Sequence, residues 1–186
     1  MDELVQAAMQ KWPNVPDCWG WLALDGRGDW YLRDADCQAA GAFQDRSAWP
    51  ASKGSRLEHA GLIAFIGRNY GADAQGRCYF QNGPQRVYVE LECTPWVWRV
   101  AADGAVQSHT GLAAQVQEVW LDEEGSLHLL TTLGFGRVHT SDMWHAAEAL
   151  ERMELPMQSD QRAVFAQRFG FVPSPQAAHS GQQKAR

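Results

Sequence analysis

The sequence predicts an α+β protein in which antiparallel β-hairpins, arranged as two structural repeats, pack against helices. Three observations carry this expectation: short apolar/polar alternations bounded by Asp/Gly turns, segments with a helical apolar period, and one turn–strand–turn–strand pattern that occurs twice. The chain of 186 residues is 45% hydrophobic and 20% charged, which excludes disorder for most of its length.

Asp2 to Trp12 places Leu4, Val5, Ala8, Met9 and Trp12 on one helical face, and Pro13 and Pro16 end it. Trp19 to Leu24 and Trp30 to Arg33 read as strands joined by a type I turn, Asp25-Gly26-Arg27-Gly28. Asp34 to Gly54 has no period and reads as a loop insertion. Ser55 to Tyr70 is expected to be a helix, with Ser55 and Glu58 as a capping box and Gly71 as its C-terminal cap.

Arg77 to Glu92 is the most informative stretch. A turn at Asn82-Gly83-Pro84-Gln85 sets Gln81 opposite Arg86, Phe80 opposite Val87, Tyr79 opposite Tyr88 and Arg77 opposite Glu90. One face then carries Cys78, Phe80, Val87, Val89 and Leu91. The other carries Arg77, Tyr79, Arg86, Tyr88, Glu90 and Glu92, with an aromatic pair and an ion pair across the strands. Strands are also expected at Trp96 to Val100, Ala105 to His109, Gln117 to Leu121 and Ser126 to Thr132. In the last hairpin, a turn at Leu133-Gly134-Phe135-Gly136 puts Thr132 opposite Arg137 and places His128, Leu130, Arg137 and His139 on one face. Ser141 is expected to cap a helix to Met153, and Ser159 another ending near Phe169.

The segments beginning Asp73 and Asp122 read alike: Asp-x-x-Gly, a strand, a Gly-containing turn, then Arg-Val and a second strand. In these registers Tyr79 opposite Tyr88 corresponds to Leu130 opposite His139, and Asp25-x-x-Gly28 is a third turn of the kind. The expected organisation is residues 1–100 as an N-terminal repeat, 101–172 as a C-terminal β-meander with helices sharing the core, and 173–186 as a disordered tail.

A net charge of −6, with basic residues scattered, argues against a nucleic-acid partner, because phosphate neutralisation needs a basic cluster. No apolar run is long enough to span a membrane, and the acidic start lacks the pattern of an export signal. Four cysteines without CxxC spacing read as reduced thiols, so a cytoplasmic protein is expected. Nine tryptophans are an excess that serves either a core or an interface.

Gly28-Asp29-Trp30-Tyr31-Leu32, Leu62-Ile63-Ala64-Phe65-Ile66, the run Asp73-Ala74-Gln75-Gly76-Arg77-Cys78-Tyr79-Phe80, Thr94-Pro95-Trp96-Val97-Trp98 and Leu130-Thr131-Thr132-Leu133-Gly134 follow one order. Over residues 20 to 140 that order resembles the uncharacterised bacterial family called domain of unknown function 1285. The resemblance implies an α+β fold with repeated motifs and a role in signal transduction, and brings no catalytic residues with it. The insertion from Asp34 to Gly54 and the C-terminal third depart from the pattern.

The candidate site for a protein partner or small ligand is the aromatic-rich polar face: Tyr79, Tyr88, Arg86, Glu90, Trp96 and Trp98. The bland alternative is that Trp96 and Trp98 are core and that the Glu90 row is a solvated face of ion pairs. His128, His139 and His145 are the candidate ligands for a metal-assisted enzyme, against the reading that they are solvent-side polar residues. Cys78 falls on the apolar face as a core residue, while Cys93 is the more accessible thiol. Phosphate-loop, dinucleotide, nucleophile-elbow and zinc-protease motifs do not occur, so no cofactor is implied. The leading expectation is a non-enzymatic binding or regulatory protein. A structural homodimer burying Trp96, Trp98 or Tyr88 between chains is the third reading.

Overall fold

A computed structural model describes residues 1–153 and 155–184 as two compact units. Unit 1 comprises Met1–Asp25, Asp29–Glu92 and the chain from Phe171 onward; unit 2 comprises Gly26–Gly28 and Cys93–Gly170. In unit 1 the order is α1 (Glu3–Lys11), β1 (Cys18–Leu24), β2 (Trp30–Leu32), α2 (Ala35–Ala40), β3 (Ser55–Arg56), α3 (Ala60–Arg68), β4 (Tyr70–Ala72), β5 (Cys78–Asn82) and β6 (Gln85–Leu91). Unit 2 follows with β7 (Trp96–Val100), β8 (Val106–Ser108), β9 (Ala113–Ala114), β10 (Val116–Leu121), β11 (Leu127–Thr131), β12 (Gly134–Val138), α4 (Met143–Met153), β13 (Met157–Ser159) and α5 (Arg162–Arg168). The chain then returns to unit 1 as α6 (Pro175–Lys184). Strand β7, assigned from sequence to the N-terminal repeat, therefore opens the second unit.

The sheets run β3-β2-β1-β6-β5-β4 and β9-β8-β7-β12-β11-β10-β13. Each joins two three-stranded antiparallel meanders through a parallel pair, β1 with β6 and β7 with β12, and the second sheet adds β13 as a seventh strand parallel to β10. This is an α+β fold with a duplicated plan, and the duplication extends to register. Tyr79 faces Tyr88 and Asn82 faces Gln85 in one hairpin; His128 faces Arg137 and Thr131 faces Gly134 in the other. The first hairpin matches its expected register. The second does not: its turn is Thr132 and Leu133, so the counterpart of the Tyr79/Tyr88 pair is His128/Arg137 rather than Leu130/His139.

Glycine misled that reading. Gly134 and Gly136 are strand residues, and a Cβ on Gly136 would lie 2.5 Å from both the Trp96 carbonyl oxygen and Trp98 Nε1. That glycine answers a close approach, not a turn. Four turns of identical geometry mark the duplication more faithfully. In each, the N–H of the first residue donates to the carbonyl four residues on: Asp25 to Asp29, Asp73 to Arg77, Ala101 to Ala105 and Asp122 to Ser126. The fourth residue is a glycine with φ between +76° and +88° in all four, a conformation with no steric penalty only for glycine.

Other expectations are corrected where tertiary pairing overrides local pattern. Ser55 and Arg56 form an edge strand against β2, so no helix begins there. Helix α3 starts later, capped by His59, whose Nδ1 accepts the Leu62 N–H at 3.0 Å, and Asn69 rather than Gly71 ends it. His139, not Ser141, caps the short 3-10 turn before α4, and Ser159 lies in β13. The Asp34–Gly54 stretch contributes α2, a 3-10 turn and the fully buried Phe43. Arg33, only 1% exposed, holds that stretch by donating to the carbonyls of Ser52, Cys37 and Gly41 at 2.8, 3.2 and 2.6 Å. A buried guanidinium so satisfied orders a segment without apolar periodicity. Residues 175–184, expected to be a disordered tail, are helical; residues 185 and 186 lie outside the described residues.

Candidate functional site

The aromatic face proposed from the sequence is assembled and then covered. Tyr79 and Tyr88 meet edge-on with ring centroids 6.0 Å apart. Trp19 of β1 lies flat on Tyr88 at 3.8 Å, and His179 of α6 stacks on Trp19 at 4.2 Å. Tyr88 is buried, and its hydroxyl donates to Asp73 Oδ2 at 3.1 Å. Glu90 is buried as well: its carboxylate accepts the Gln176 N–H at 3.0 Å and the Gln44 amide at 3.4 Å. The expected Arg77–Glu90 pair is absent among the described ion pairs, since Arg77 bonds Asp73 at 2.7 Å instead. Alternation assigns this face to solvent; α6 and the Phe43 segment, neither of which shows an apolar period, close it over Tyr88 and Glu90.

Trp98 is fully buried, its indole N–H donating to the Leu129 carbonyl at 3.1 Å, and Trp96 stacks beside it at 5.9 Å. Both therefore serve the core of unit 2, as Tyr88 serves that of unit 1, so a dimer would not bury Trp98 or Tyr88 between chains. Of the six proposed residues, Tyr79, Arg86 and Trp96 keep partial exposure.

The three histidines do not converge. Among the described residues, no group of three or more His, Cys, Asp or Glu is placed to hold a metal ion. His128 has no exposed surface; its Nε2 lies 3.0 Å from Asp122 Oδ2, and its ring stacks on Phe135 and meets Phe165 edge-on. Burial lowers the His128 pKa, an effect its hydrogen bond to Asp122 opposes. Burial also raises Asp122, but hydrogen bonds from His128, the Ser126 N–H and Arg162 outweigh it and hold the carboxyl at about 2. His139 Nδ1 accepts the Ser141 N–H at 3.1 Å as a cap, and His145 lies separately on α4. The misplaced turn explains the false convergence, because the true register ends β12 at Val138, before His139. Cys78 is a core residue as expected, its thiol pushed up to about 12 by burial. The half-buried Cys93 sulfur lies 3.8 Å from an Arg137 nitrogen.

An open cleft lies on the opposite, apolar face of the unit 1 sheet. Cys18, Leu22, Phe80 and Val87 form its floor, and Leu62 and Ile66 of α3 form one wall around 280 Å³. Trp21 and Leu32 stand at its rim, each 48% exposed. The Asn82 side chain is the polar group of the lining apart from the Cys18 thiol, which burial raises.

The duplication shows why the cleft is open. Val87 pairs with Cys18 across the parallel strands, and its counterpart Gly136 pairs with Trp96. Leu22 pairs with Val89, and Trp98 pairs with Val138. Unit 2 thus has two indoles packed over a glycine where unit 1 has a thiol and a leucine beside a valine. Between Cys18 and Leu22 the pairing slips at a bulge containing Gly20, with φ +81°, which turns Trp21 outward to the rim. Sequence reasoning missed this site, because the equivalence of Cys18 with Trp96 depends on the bulge and on a parallel pairing between distant strands.

Comparison with known proteins agrees with an uncharacterised family. The profile of DUF2944, described as "Protein of unknown function (DUF2946)", matches residues 1–179. The crystal structure of a DUF1285 family protein from Silicibacter pomeroyi DSS-3 is similar over 80% of this chain and 84% of that one, at 12% identity and a TM-score of 0.46. No curated protein matches.

Proposed function

The chain belongs to DUF2944, a family of unknown function, and from that premise we propose that it is a non-enzymatic binding protein whose unit 1 cleft takes a small, uncharged, largely apolar ligand. The observation that carries this reading is the contrast between repeats: the same place on the same sheet face is plugged by Trp96 and Trp98 in unit 2 and open at Cys18 and Leu22 in unit 1. Apolar lining with a single convergent carboxamide is the usual composition of a small-molecule pocket. A charged ligand would lose its hydration without gaining a partner among the lining side chains. The raised Cys18 pKa makes its thiol a poor nucleophile, which favours binding over chemistry. A regulatory role in signal transduction would use the same cleft, with occupancy as the signal.

The test uses Nile red, an uncharged apolar fluorophore, on the full chain. Saturable one-to-one binding is expected, and Leu22→Trp combined with Val87→Gly should rebuild the plug and weaken binding by at least about tenfold, or 1.4 kcal/mol. Equal binding by a folded double variant, or no saturable binding by the native chain, would remove this reading.

A further inference from the structure

On the other face of the same hairpin lies a polar cavity of 610 Å³, lined by Gln81 and Arg86, by Met9 of α1, and by the segment from Pro13 to Asp17. Gln81 and Arg86 are direct cross-strand partners, so their side chains leave the sheet side by side. Their counterparts in unit 2, Leu130 and Phe135, are apolar, and Phe135 is stacked under Phe169 at 3.8 Å. Unit 1 has kept this position polar and open.

Gln81 is only 1% exposed, and its carbonyl oxygen has no hydrogen-bond partner among the described residues. Its amide nitrogen donates to the Gly83 carbonyl at 2.9 Å. Gly83 O can only accept, so the nitrogen must face it, and the free oxygen is the end left for a ligand donor. Arg86 is steadied over the Tyr79 ring at 4.7 Å and by a hydrogen bond to the Tyr88 side chain, and its remaining N–H groups are donors for a ligand anion. Asp17 supplies a carboxylate on the exposed side of the cavity, and Met9 and Val15 supply apolar surface.

We propose that this cavity binds a small zwitterion of the amino-acid type. Its carboxylate meets the Arg86 guanidinium, its ammonium sits between the Gln81 carbonyl and the Asp17 carboxylate, and its side chain lies against Met9 and Val15. A buried acceptor without a donor is costly, and an ammonium supplies the missing donor together with a charge that Asp17 complements. The proposal does not depend on the apolar cleft, which lies on the opposite sheet face.

Isothermal titration of the full chain decides it, using the free protein amino acids, their N-acetyl derivatives and their amides as probes. At least one free amino acid is expected to bind with a dissociation constant of about 1 mM or tighter, and the derivatives, each lacking one charge, to bind at least about tenfold more weakly. Gln81→Leu, which installs the residue that unit 2 carries at this position, and Arg86→Gln should each weaken binding by a similar factor. Asp17→Asn, at an exposed position, tests the ammonium site without risk to the fold and should reduce affinity for the free amino acids and their amides, which carry the ammonium, but not for the N-acetyl derivatives. Binding of N-acetyl derivatives as tight as that of free amino acids, unchanged binding by folded Gln81→Leu, or no heat from any probe would overturn the assignment.

Discussion

Three aspartates hold three of the four equivalent turns in one way. Oδ1 of Asp25, Asp73 and Asp122 accepts the backbone N–H four residues on, at 3.0, 3.0 and 2.7 Å. Oδ2 is then free for a side chain: Lys53, Arg77 with Tyr88, and His128 with Arg162. In the fourth turn the first residue is Ala101, and Asp103 takes over by accepting the Ala105 N–H at 2.9 Å. The Asp-x-x-Gly signature was legible because turn chemistry is local. Gly136 was not, because its reason lies in Trp96 and Trp98, some forty residues earlier in the chain. Gly136→Ala should therefore overpack the β7–β12 pair and destabilise the protein by about 1–3 kcal/mol, read as a lower urea midpoint at unchanged m-value.

At the scale of elements, α6 shows how a helix with little apolar character is held. Its anchors are polar or aromatic: the Gln176 N–H on Glu90, the Gln176 amide on Gln38 at 2.8 Å, and His179 stacked on Trp19. None of these leaves an apolar period in the sequence, which is why the segment reads as a tail. Removing the chain after Ser174 should leave the buried Glu90 carboxylate short of a donor, costing about 1.5–3 kcal/mol, and should uncover Trp19. The measurements are chemical denaturation and tryptophan emission; unchanged stability and no red shift would show that α6 does not cover this face in solution. The α3 start was misread for a related reason: Ser55 has the sequence of a cap, but its backbone is engaged by β2.

For the whole molecule, acid should be destabilising in two stages. Burial drives His109 down to about 3 and lowers His128, both from an ordinary 6.5. Between those folded-state values and 6.5, the unfolded chain binds protons that the folded chain refuses. Their contribution is thus complete above that pH and lost as pH falls through the window. Asp122, held at about 2 against an ordinary 3.8, adds a second loss below 3.8. Urea midpoints at about pH 8 and about pH 5 should differ in that direction. His109→Gln, which keeps an acceptor for the Val97 N–H now donated to Nδ1 at 3.3 Å, should flatten the first stage. A midpoint that rises on acidification would contradict this linkage.

By itself the sequence determined the α+β class, the Asp-x-x-Gly turns, the first hairpin to the residue and the apolar face that floors the cleft. All of these follow from interactions between neighbours in the chain or across a short turn, where period and turn chemistry act directly. Tertiary structure alone decided which face is open. The polar-looking face is closed over Tyr88 and Glu90 by α6 and by the Phe43 segment and stays open only towards Gln81 and Arg86, while the apolar face stays open because Cys18 and Leu22 stand where Trp96 and Trp98 stand in the other repeat. Those facts depend on parallel pairings and polar anchors between residues some seventy to ninety positions apart, such as Cys18 with Val87 and Glu90 with Gln176, and contacts at that separation leave no local period to read.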